Sequence, residues 1–154
     1  MPRLASAARR RFAGVAIHSA ILPTEWSQGP ARAKAAYERV SPDVSIHFGV
    51  SGRAEGFVIE RRGINVCLKT EDGAGHLPPL AVLDPEGSKR RAVTLPVAGI
   101  VARLKRMGLP VATSDDGGRI FAMRFCIKVW GLARGWRGLC ICRLRWQMGA
   151  RRGR

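Results

Sequence analysis

The sequence predicts a three-layer α/β domain. Three observations carry this. Short apolar, β-branched runs alternate with stretches of helical periodicity over residues 1–119. A well-punctuated amphipathic helix over residues 96–107 leads directly into another short strand-like run. The pattern then stops near Arg119, where composition changes abruptly.

In chain order, residues 14–22 (GVAIHSAIL) are apolar and β-branched enough for a strand, closed by Pro23. A helix is expected over residues 30–40, with Pro30 in its first turn and Ser41-Pro42 ending it. Residues 43–50 (DVSIHFGV) alternate into a second strand that runs into a Ser51-Gly52 turn. Residues 57–59 and 64–68 read as further short strands. Residues 73–91, rich in Gly, Pro and charge, read as a loop. In the helix over 96–107, Ile100, Val101, Leu104 and Met107 share one face, basic residues crowd the last turn, and Gly108 and Pro110 stop it. Residues 109–113 form the next strand.

Charge separates the chain into two parts, 1–119 and 120–154. Of 27 Lys and Arg, 10 fall in residues 119–154, which hold no Asp or Glu, so that segment carries +10 of the net +16. It also holds Trp130, Trp136 and Trp146, and Cys126, Cys140 and Cys142. Arginines interleaved with Trp suit phosphates and base faces, so a non-enzymatic nucleic-acid-binding protein is the alternative from another functional class. Against it, the tail has no recognisable nucleic-acid motif and no helical or strand periodicity. No specific nucleic-acid partner is therefore expected. The tail cysteines are too few and wrongly spaced for structural zinc, so no metal is expected. Cys67, in a strand, reads as a buried small apolar residue. No apolar run reaches about 18 residues, so no membrane partner is expected. With no secretion signal recognisable, a cytoplasmic location with free thiols is the expectation.

Three segments carry a family resemblance. They are His47-Phe48-Gly49-Val50-Ser51-Gly52; Ile59-Glu60-Arg61-Arg62-Gly63-Ile64-Asn65; and Leu95-Pro96 with its helix, followed by Leu109-Pro110-Val111-Ala112-Thr113-Ser114-Asp115-Asp116-Gly117-Gly118-Arg119. Leu22-Pro23-Thr24-Glu25-Trp26 adds a weaker match. In this order and spacing the chain resembles the pyroglutamyl-peptidase I (pyrrolidone-carboxylate peptidase) family of cysteine peptidases over residues 13–119.

The resemblance implies an incomplete three-layer α/β/α sandwich, phosphorylase/hydrolase-like, and removal of N-terminal pyroglutamate from peptides. It implies no cofactor, a cytoplasmic enzyme, and a homo-oligomer as a possible assembly. It also implies that Glu60 is the catalytic glutamate. From the residue alone, Glu60 reads as an ordinary exposed carboxylate; only its motif reverses that. His47, inside an apolar strand, reads as structural rather than as a base. The opening residues 1–12 match nothing in the family's first strand and loop.

The family's nucleophile and histidine are missing. The nucleophile's position is Ala122, and His18, His47 and His76 all precede it. One T inserted after the Arg119 codon lets residues 119–130 be read as Arg-Tyr-Ile-Cys-Asn-Ala-Val-Leu-Tyr-Gln-Ser-Leu, which looks like the family's active-site helix with its cysteine at position 122. The same frame lets residues 139–143 be read as Phe-Val-His-Leu-Pro, which resembles the segment bearing the family's histidine, at position 141. Phe125-Cys126 yields Leu in that frame whatever codons are used, and Phe121-Ala122 yields only Cys or Arg. The tail is accordingly expected to be out of frame and the chain inactive.

Overall fold

The computed structural model describes residues 14–50, 54–82, 84–115 and the backbone of 139–144. Its elements are α1 (Gln28–Val40), β1 (Ser45–Val50), β2 (Phe57–Glu60), β3 (Arg62–Ile64), β4 (Arg90–Ala92), α2 (Val97–Arg106), β5 (Val111–Ser114) and β6 (Leu139–Leu144). Four strands form one sheet in the order β1-β6-β2-β5, and β3 with β4 forms a separate antiparallel ribbon. The β1–β6 and β2–β5 pairs are parallel, whereas β6 runs antiparallel to β2. Two helices and a sheet in which two of the three strand pairs are parallel make this an α/β fold, as expected.

The core sits between β2, β5 and α2. Ile59 has no exposed surface, and Phe57, Leu95, Val97, Ile100, Val101, Leu104 and Val111 pack against it. Three of the four residues assigned to the apolar face of α2 are therefore in place. Met107 is not: it follows the last helical residue and is 55% exposed. Arg103, Lys105 and Arg106 face the negative end of the helix dipole. Gly108, at φ 71°, then reverses the chain, and its amide donates to Lys105 O at 2.9 Å. Pro96 caps this helix from outside its first turn.

α1 begins two residues earlier than Pro30, which falls in the first turn where a missing amide costs nothing. Ser41 ends it in the left-handed region (φ 43°), donating its amide to Tyr37 O at 2.7 Å, and Pro42 forbids another turn. Ala33 is buried with Leu22 and Tyr37 against it.

Several expectations need correction. Residues 15–22 form no strand, and Val15 and Ile21 are 59% and 72% exposed. A strand needs a complete ladder of backbone bonds with a neighbour, not an apolar composition alone. The strand expected at 64–68 ends at Ile64, and Asn65 beyond it bonds across to the loop that precedes β4. Asn65 Nδ2 donates to Asp84 O at 2.6 Å, and its Oδ1 accepts from the Asp84 amide at 3.1 Å. Beyond it, Cys67 is buried as expected, its amide bonded to Ala81 O. The loop over 73–91 gives up its last two residues to β4, whose three-residue length and two arginines hide it from any periodicity test. The tail, expected to lack strand character, supplies β6. A strand flanked on both sides does not have to alternate, and Leu-Cys-Ile-Cys is a short apolar run of that kind.

The excursion between β3 and β4 is tied back to the start of α1. Trp26 is 7% exposed; its indole Nε1 donates to Thr70 O at 3.1 Å and its amide to Asp72 Oδ2 at 2.8 Å. Asp72 Oδ1 also accepts from the amides of Ala74 (2.8 Å) and His76 (2.9 Å). Burial works against the Asp72 charge, but the backbone amides of His76, Trp26 and Ala74 outweigh it and hold the carboxyl below its ordinary value. No helix among the described residues is long and apolar enough to cross a membrane.

Candidate active site

Glu60 ends β2, and strand alternation sends it to the face opposite Ile59. Ile59 faces α2, so Glu60 faces the other side of the sheet. It is fully buried, which removes the reading of an ordinary exposed glutamate. A carboxylate held out of water is costly to a fold, and such groups concentrate at functional sites. The location fits that pattern, since the carboxyl ends of parallel strands are where open α/β sheets place their ligand crevices.

Neighbouring groups fix this end of the sheet. Glu60 stands in register with Ser114 on β5. The Arg61 amide donates to Ser114 O at 2.7 Å, and the Arg61 guanidinium pairs with the Asp115 carboxylate. Arg62 Nε lies 3.4 Å from the other oxygen of Asp115. Asp115 thus holds the chain leaving β5 against the junction of β2 and β3. Asn65, at the other end of the same motif, is 4% exposed and supports the excursion. Sequence reasoning placed Asp115 in the motif without foreseeing that it clamps the two arginines; only the pairing of β2 with β5 brings them together.

Position 122, where the family pattern calls for its nucleophile, lies outside the described residues. Position 141 is described through its backbone. β6 sets Ile141 in register with His47 on β1, and sets Cys142 beside Ile59 and Arg143 beside Val58 on β2. The β2–β6 ladder ends at Ile59 and Cys142, one residue short of Glu60 and Ile141.

His47 is held as a structural histidine. Its Nε2 lies 3.0 Å from Ser45 Oγ, and desolvation by burial lowers its pKa from 6.5 to about 4. The unfolded chain therefore binds the extra proton between pH 6.5 and 4 while the folded chain does not. Stability is expected to fall as pH drops through that window, by about 3 kcal/mol at most, and to be insensitive to His47 below it. Urea midpoints measured from pH 7.5 to 4 check this, and His47→Asn should flatten the slope.

The family model described as pyroglutamyl peptidase matches residues 5–129. The pyrrolidone-carboxylate peptidase of Streptomyces coelicolor is 33% identical over 107 residues, covering 69% of this chain and 50% of that protein. The chain spans about half the length of the curated relatives it matches. Among solved structures, the pyrrolidone carboxyl peptidase of Fervidobacterium islandicum AW-1 superposes with a TM-score of 0.83 at 17% identity, over 94% of this chain and 72% of that one. Bacillus amyloliquefaciens pyroglutamyl peptidase I gives 0.81 at 23% identity, over 94% and 71%. At these identities the superpositions speak for the fold.

Proposed function

This chain belongs to the pyroglutamyl-peptidase family, and from that membership we propose that its site is built for removing N-terminal pyroglutamate from peptides but, as translated, does not turn over. In the chemistry the family implies, a thiolate attacks the pyroglutamyl carbonyl and a histidine protonates the leaving amine. Water then releases pyroglutamate from the acyl-enzyme. Glu60 is the carboxylate of this set. With Ala122 at the nucleophile's position, no thiolate is available there to form the acyl-enzyme.

The observation that carries the reading is the burial of Glu60 at the end of β2, next to Ile59, which pairs with Cys142 on β6. The shifted frame writes histidine at position 141, one residue before Cys142 on that strand. We therefore read residues 120–154 as an out-of-frame tail attached to a family domain over residues 1–119. Its lack of acids and its wealth of Arg and Trp follow from reading coding DNA one base out of step. Cytoplasmic location and assembly into a homo-oligomer belong to the same proposal.

The purified 154-residue protein is expected to release no coumarin from a pyroglutamyl-coumarin substrate above the buffer rate. Hydrolysis that disappears on Glu60→Gln would overturn the inactivity. The frame is tested separately by sequencing the locus: codons 119–142 must yield the Cys and the His when one base is restored.

A further inference from the structure

The β3–β4 ribbon carries a basic face that the Glu60 site does not use. Its register pairs Arg62 with Ala92, Gly63 with Arg91 and Ile64 with Arg90. Alternation then puts Arg62, Ile64, Arg90 and Ala92 on one face. Arg62, Arg90 and Ala92 are exposed and Ile64 is half-buried, while Gly63 on the other face is buried, so this face looks outward. Lys89 is exposed at its end. The acid that meets the ribbon is Asp115, paired with Arg61 and Arg62. Asp84 and Glu86 lie in the preceding loop, yet Lys89, Arg90 and Arg91 make no ion pair among the described residues.

Among the described residues the outer backbone edge of β4 has no strand beside it. The Val93 amide donates to Arg61 O at 3.0 Å and the Asn65 amide to Lys89 O at 2.9 Å. These are hydrogen-bonded pairs of the ladder. By alternation, the amides and carbonyls of Arg90 and Ala92 point away from β3.

We propose that an acidic peptide segment docks here in extended form, as a third strand on the outer edge of β4, with its carboxylates on Arg90 and on the half-exposed Arg62 guanidinium, of which only Nε is paired with Asp115. Main-chain hydrogen bonds would supply affinity and the two guanidiniums would select acidic side chains. A peptide suits this surface better than nucleic acid. The ribbon is roughly 10 Å long, holds no aromatic side chain for base stacking, and offers Ile64 between its arginines. The site is independent of the Glu60 reading.

The test is fluorescence anisotropy of a labelled eight-residue peptide alternating Glu and Val, added to the 154-residue protein at physiological ionic strength. A peptide alternating Lys and Val is the control. Arg90→Glu is expected to weaken binding about tenfold or more. Ala92→Pro removes only an outward amide, which an edge strand tolerates, and is expected to weaken it about fivefold. Both variants should keep the parent melting temperature, and reversing Arg151, Arg152 and Arg154 to Glu should cost less than either.

Binding that survives both ribbon changes, or that the tail reversal alone abolishes, would overturn the proposal. So would equal binding of the Lys peptide, or an oligothymidylate that binds more tightly and ignores Ala92→Pro. A requirement for N-terminal pyroglutamate would likewise count against the ribbon and for the site at Glu60.

Discussion

Ile59→Ala is expected to remove about 3–4 kcal/mol of folding stability, a large share of the ~5–15 kcal/mol that a domain of this size possesses. Ile59 is fully buried, and its neighbours come from three elements: Phe57 on its own strand, Val111 on β5, and Ile100, Val101 and Leu104 on α2. Truncation leaves a void that none of them can fill alone, because each is also held by its own strand or helix. Urea denaturation of the two proteins measures the loss. Val15→Ala, at a residue 59% exposed, should change stability by less than about 0.5 kcal/mol and so separates core loss from a general effect of apolar truncation. Equal losses in the two variants would mean that Ile59 is not the centre of the core.

Gly56→Ala should be nearly as damaging, for a different reason. A Cβ at Gly56 would lie 2.4 Å from Pro110 O and 2.6 Å from Pro110 Cβ. Neither atom can swing aside, since one is backbone and the other belongs to a ring. The two chains would have to separate where β2 and β5 begin, breaking the 2.8 Å bond from the Phe57 amide to Pro110 O. A loss of about 2–4 kcal/mol is expected from overpacking and the broken bond together. The same change at Gly99, on α2, meets nothing within 4 Å and removes a flexible residue from a helix. Gly99→Ala should therefore stabilise, by up to ~1 kcal/mol. Thermal melts of both variants decide it; matching shifts in the same direction would show that the close approach at Pro110 is not what governs Gly56.

These residues also show where sequence was legible. α2 could be read because one short stretch carries its apolar face, its basic last turn and its glycine stop together. β2 and β5 could be read because each is apolar by itself. Residues 15–22 have the same local look, yet form no strand, since strand formation depends on a neighbour and composition says nothing of neighbours. β4 and β6 were invisible for the complementary reason: they are strands because of what lies beside them. At the site, the motif around Glu60 singled the residue out as a candidate, but its burial and its alignment with Ser114 arise from pairings between segments remote in the chain. The anchor at Asp72 left a local trace in Asp-Gly-Ala-Gly, a sequence suited to a carboxylate that accepts from the amides ahead of it. Its bond to Trp26 left none.

The place of β6 in the sheet has a consequence for biosynthesis. During translation β1 and β2 emerge early, but the strand that joins them is the last of the described strands to leave the ribosome. Until it arrives, β1 stands apart from the β2–β5 pair, with Ile46 and Phe48 on a β1 face that stays about half exposed even in the finished fold. A ribosome that stalls or terminates before residue 139 releases a chain whose sheet cannot close, and such a chain is a natural client for holdase chaperones.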